Sequence, residues 1–80
     1  MTEEVKVDEE LCLKGDVCPY TFVKSKLALE EMETGQVLKV VVDHIPAVDN
    51  VPRSLAAEGH EVLDVSKVNA TDWQIVVRKA

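Results

Sequence analysis

At Gly15-Asp16 the apolar residues of this chain change period, and that change limits the folds open to it. On the N-terminal side, Val5, Val7, Leu11 and Leu13 fall on alternate positions with mostly acidic residues between them, the pattern of a half-buried strand. Glu9 interrupts the apolar row, so the firm strand is predicted over residues 9 to 14, with Leu11 and Leu13 toward the core and Cys12 on the other face. On the C-terminal side, Phe22, Ser25, Ala28, Leu29 and Met32 recur at helical spacing, which predicts a helix over 19 to 33. Gly15 and Asp16 supply the turn chemistry. Pro19 suits the first helical position, because its ring fixes φ and its missing N–H would have no intrahelical partner there. Cys18 then falls at the N-cap.

The remaining chain extends this alternation of periods. Val23 and Leu27 lie off the first helical face and predict an edge contact or an exposed apolar strip. Thr34-Gly35 is expected to stop the helix, with Gly35 left-handed. Gln36 to Asp43 is β-branched and nearly continuous, an interior strand with Leu38, Val40 and Val42 inward. A strand, a helix and a second strand with short connections predict a right-handed crossover and parallel pairing. Residues 44 to 59 carry Val48, Val51 and Leu55 at helical spacing and end in Glu58-Gly59, a second helix with a glycine stop. Pro46 is expected in its entry turn, and Pro52 is compatible only with a helix that starts near 48 to 51. Leu63 and Val65 define a strand over 61 to 67, and Trp73, Ile75 and Val77 another over 72 to 79, joined by a hairpin loop at Asn69-Ala70-Thr71. The order β-α-β-α-β-β closes most simply as an α+β two-layer sandwich, with two helices on one face of a four-stranded mixed sheet.

Eighty residues predict one domain, 1–80, with a small and mainly aliphatic core, since only Tyr20, Phe22 and Trp73 are aromatic. The net charge of -6 argues against general nucleic-acid binding and favours a protein or small-molecule partner. With no apolar run near the roughly 20 residues that cross a bilayer, and an acidic Met1-Thr2-Glu3-Glu4 where a signal peptide is basic, the expected location is cytoplasmic.

The chemistry centres on Cys18. A sulfur at a helix N-cap faces free backbone N–H groups and the positive end of the helix dipole, which favour thiolate over thiol. Its plainer reading is a buried, inert cysteine. Cys12, inside a strand, has no such setting and reads as structural filler, or as a resolving partner if the turn brings the two sulfurs together. Their spacing matches neither Cys-x-x-Cys nor a zinc knuckle. His44, His60 and Asp43 match no zinc signature, so no metal and no cofactor is implied. Glu3, Glu4, Asp8, Glu9 and Glu10 read as a solvated acidic edge. Lys14, Lys24, Lys26 and Arg53 either surround the thiol with positive charge or solubilise the surface.

Leu11-Cys12-Leu13-Lys14-Gly15 followed by Cys18-Pro19-Tyr20-Thr21 resembles the TusA/SirA-like sulfur-carrier family, whose pattern is Leu-x-Leu-Arg/Lys-Gly and then Cys-Pro-x-Pro opening a helix. Gly35, Asp49-Asn50-Val51-Pro52 and Gly59-His60-Glu61-Val62 continue the match along nearly the whole chain. The resemblance implies the same two-layer fold and a sulfurtransferase role. In that role Cys18 holds sulfur as a persulfide, taken from a desulfurase or rhodanese-type donor and passed to an acceptor protein. It implies supporting roles for Lys14, Gly15, Asp16, Pro19 and Thr21. Tyr20, Val23 and Leu27 are candidates for partner docking. Thr21 replaces the family's second proline, restoring a backbone N–H and adding a hydroxyl that can donate to a sulfur anion. The alternatives are a thiol redox sensor or a non-catalytic interaction module. An RNA-binding role, suggested only by the fold type, is opposed by the acidic charge.

Overall fold

The computed structural model describes residues 7–15 and 20–80. The expected strand extension at Val5 and the predicted features of Asp16, Val17, Cys18 and Pro19 lie outside the described residues. The elements are β1 (Glu9–Cys12), α1 (Tyr20–Glu30), β2 (Val37–Val42), α2 (Ile45–Ala57), β3 (Glu61–Lys67) and β4 (Trp73–Arg78). The sheet order is β1-β2-β4-β3. β1 pairs parallel with β2, whereas β4 runs antiparallel to both β2 and β3. This is the α+β arrangement expected from the periodicity.

Strand alternation sorts the sheet into two faces. Leu38, Val40 and Val42 of β2 and Ile75 and Val77 of β4 are all fully buried or nearly so, and they meet Leu29 and Met32 from the first helical segment and Ala47, Val51 and Leu55 of α2. Leu13 belongs to this core and Leu11 packs against it, while Cys12 is an exposed, free thiol on the opposite face. Both helices therefore cover one face, and removing their apolar stripes from water is the main force holding the layers together.

Two helix boundaries, the place of Gly35 and the phase of β3 depart from the sequence expectation. Helix α1 ends at Glu30 rather than near 33, because the Glu31 and Met32 amides turn back to the Ala28 and Leu29 carbonyls and tighten the last turn. Gly35, with φ of +91°, instead serves the turn into β2, where its N–H donates to the Lys79 carbonyl. Helix α2 begins at Ile45, so Pro46 occupies its first turn and Pro52 stands inside it, contrary to the later start that Pro52 was expected to require. Val51 and Leu55, both fully buried, hold the helix across the position where Pro52 has no N–H to offer the Val48 carbonyl. A bulge between Val62 and Asp64 shifts the phase of β3: Val62 opposes Val77 and Val65 opposes Ile75, leaving Leu63 as the irregular residue.

Helix α2 ends as its Glu58-Gly59 sequence implies. Gly59 takes φ of +100°, the Gly59 amide reaches the Ala56 carbonyl, and the His60 amide reaches that of Leu55. These paired bonds form the Schellman arrangement that satisfies carbonyls a helix end leaves open.

Candidate functional site

The parallel β1–β2 pair brings the C-terminal ends of two strands side by side, and the chain passes from one of them toward Cys18. The ladder continues one residue past β1, with Leu13 N–H donating to the Val41 carbonyl at 2.7 Å. Two positions on, the Gly15 N–H is taken by a side chain, Asp43 Oδ1, at 3.0 Å. Gly15 has φ of +89°, a conformation that turns the chain out of the sheet and that residues with a Cβ adopt at a cost. Lys14 reaches across to Asp72, with Nζ 3.4 Å from Oδ2.

Asp72 is itself held by the hairpin loop. Asn69 Oδ1 accepts the Thr71 and Asp72 amides, both at 2.9 Å, while Asn69 Nδ2 donates to Asp72 Oδ2 at 2.9 Å. The Asn69 amide, opposed by burial and aided by Thr71 and Lys14, lowers the Asp72 carboxyl below its ordinary range. The carboxylate is thus a fixed negative partner for Lys14. The hairpin expected at Asn69-Ala70-Thr71 thereby does more than reverse the chain.

Beyond residue 19 the chain re-enters the described structure at Tyr20, the first residue of α1. Thr21 is fully buried, and its carbonyl accepts Ser25 Oγ at 2.8 Å. Tyr20, Val23 and Leu27 are exposed at 61%, 44% and 55%, so the apolar strip expected off the helix core face is present. Ile45, at the start of α2, is also largely exposed. Of the basic residues considered around the thiol, Lys26 faces Glu58 at 3.5 Å and Arg53 faces Asp49 at 2.6 Å. Among the described residues, no three His, Cys, Asp or Glu side chains are grouped to hold a metal ion.

Two residues of this region escaped the sequence reading. From the sequence Asp43 reads only as a candidate metal ligand, and Asp72 carries no role. The signal for Asp43 lies in its place at the end of a strand predicted to run parallel to the first, which sets it beside the Lys14-Gly15 turn. For Asp72 it lies in the Asn-x-x-Asp spacing, which suits an asparagine closing a turn on its own backbone.

The family model for the sulfurtransferase TusA matches residues 9–79. The chain belongs to the TusA family. Among its relatives is a protein of Archaeoglobus fulgidus named "Putative sulfur carrier protein", 49% identical over 98% of this chain and 89% of the relative. A similarly named protein of Escherichia coli, TsuB, is 34% identical over 92% of this chain and 99% of its own length. In fold, the TusA-family chain is similar to the SirA-like protein of Desulfitobacterium hafniense, with a TM-score of 0.77, 22% identity, and coverage of 88% of this chain and 95% of the other. Membership of the TusA family supports a role in carrying sulfur between proteins. Among the described residues no helix is long and apolar enough to cross a membrane.

Proposed function

We propose that the chain acts as one cytoplasmic carrier domain, and that Cys18 bears the sulfur as a persulfide. The observation that carries this reading is the place of Cys18-Pro19 in a TusA-family chain, between the turn at Gly15 and the first residue of α1 at Tyr20. In the loading step the Cys18 thiolate attacks the terminal sulfur of a donor persulfide. The donor sulfur–sulfur bond breaks, the donor leaves as its thiolate, and Cys18 becomes a persulfide. In delivery an acceptor thiolate attacks that same terminal sulfur and Cys18 leaves as thiolate. Neither step needs an external oxidant or reductant.

Within this reading Gly15 and Asp16 shape the turn, Lys14 braces it, and Pro19 and Thr21 set the start of α1. Tyr20, Val23 and Leu27 form the docking strip for donor and acceptor proteins. Their exposure supports this role, because three large side chains on one helix remain outside the core that the rest of α1 builds. Incubation with a cysteine desulfurase and cysteine, followed by intact-mass measurement, tests the proposal. The expected result is one added sulfur, lost in Cys18→Ser and retained in Cys12→Ser. A parent protein that gains no sulfur and instead forms a reversible Cys12–Cys18 disulfide would overturn it in favour of a redox sensor.

A further inference from the structure

We infer that Asp43 is a positioning residue for Cys18, acting through the turn at Gly15; this rests on the reading of Cys18 as the sulfur-bearing thiol. A parallel ladder that bonds Leu13 N–H to the Val41 carbonyl would next bond Gly15 N–H to the main-chain carbonyl of Asp43. The amide goes instead to the Asp43 side chain, at 3.0 Å. A carboxylate thus takes over where the main-chain ladder stops. The backbone at Gly15 can diverge from β2, with its positive φ, while its amide stays tied to that strand's end. Among the described residues, chain neighbours apart, nothing lies within 4 Å of where a Cβ at Gly15 would sit, while its positive φ is one that a residue with a Cβ adopts at a cost.

The tie matters because Cys18 lies only three residues beyond Gly15 and two before Tyr20. Lys14, on the other side of Gly15, is pinned to Asp72 on the loop leading into β4. The stabilisation a helix N-terminus gives a thiolate falls away within one turn, so small displacements of this short stretch change sulfur reactivity. Asp43 itself is exposed, and replacing it leaves the core untouched.

The test uses a Cys12→Ser parent, in which Cys18 is the sole thiol, with Asp43→Asn and Asp43→Ala built on it. Asparagine keeps an acceptor and loses the charge; alanine loses both. Alkylation by iodoacetamide is followed from about pH 5 to 10, a span that covers the usual protein thiol range. Positioning predicts that Asp43→Ala raises the reactivity midpoint and slows alkylation near neutral pH about tenfold, while Asp43→Asn stays within about twofold of the parent. Loss of a nearby negative charge alone would lower the midpoint in both variants together, and that result overturns the proposal. So does an alanine variant within about twofold of the parent, or an asparagine variant that falls as far as alanine. Thermal unfolding is measured alongside. If the alanine variant melts near the assay temperature, Asp43→Glu, which keeps the charge but displaces the acceptor, is expected to lower reactivity in the same direction. Sulfur loading of the same proteins separates the two readings: a parent that accepts no sulfur overturns the carrier role, while the alkylation profiles still decide the role of Asp43.

Discussion

The two helices occupy the same layer and are built on different plans. Helix α2 buries Ala47, Val51 and Leu55 in one stripe and closes with a two-bond glycine cap. Helix α1 buries Thr21 and Ser25 alongside Leu29, so two of its three innermost side chains are polar, and it leaves Tyr20, Val23 and Leu27 outside. The difference separates a helix that serves the fold from one whose outer face is unspent on it. Apolar surface left outside a small core is a resource for association, and α1 is the helix that follows Cys18.

The largest expected effect falls on α2. Leu55→Ala should lower the unfolding free energy by about 2–5 kcal/mol, because it removes a fully buried leucine from the layer interface. Chemical denaturation checks it, and a loss below about 1 kcal/mol would erase the contrast between the helices. Next is Gly59→Ala, expected to cost about 1 kcal/mol although among the described residues a Cβ there meets nothing within 4 Å, since the penalty lies in the positive φ.

A pH effect should sharpen the same helix end. Burial, with help from Lys79 and against Glu58, lowers the His60 pKa, and the imidazole Nδ1 accepts the Ala80 amide at 3.1 Å. A group whose folded pKa is lowered binds protons more readily when unfolded. Its stabilisation is therefore complete above the ordinary histidine value of 6.5 and is lost as pH falls through the folded value. Thermal unfolding from neutral to mildly acid pH should show the decline, and His60→Gln should flatten it. Smallest in stability is Leu27→Ser, expected to change unfolding by no more than about 0.5 kcal/mol because the side chain is 55% exposed. Its consequence should appear in exchange with partners: slower loading from a donor protein, with iodoacetamide alkylation of Cys18 unchanged. Equal loading rates would remove the docking role from α1.

Much of this architecture was legible because the apolar periods are clean. Leu38, Val40 and Val42 declared an interior strand, Ile75 and Val77 declared its neighbour, and the glycine after Glu58 declared the end of α2. What was misread depended on tertiary packing. Pro52 argued locally for a late helix start, but the burial of Val51 and Leu55 on either side of it outweighs one missing hydrogen bond. The bulge at Leu63 leaves no local signature, since it is set by register against β4. Burial of Thr21 was equally hidden, because a residue read as a replacement for proline in an exposed motif turned out to lie within the helix layer. Beside the candidate site, the helix that opens at Tyr20 could be read from spacing, whereas the Gly15–Asp43 tie joins residues 28 apart and needed the sheet to bring them together.

The final strand carries a consequence of a practical kind. The Lys79 carbonyl accepts the Gly35 amide and the Lys79 amide donates to the Gln36 carbonyl, Thr34 Oγ1 donates to the Ala80 carbonyl at 3.2 Å, and the Ala80 amide is tied to His60. Since β4 runs opposite to β1, the C-terminal residues are fastened at the end of the sheet away from Gly15. A surface tether placed at this end of the sheet would hold the molecule by its base, leaving the opposite end, with the turn at Gly15, toward any visiting protein.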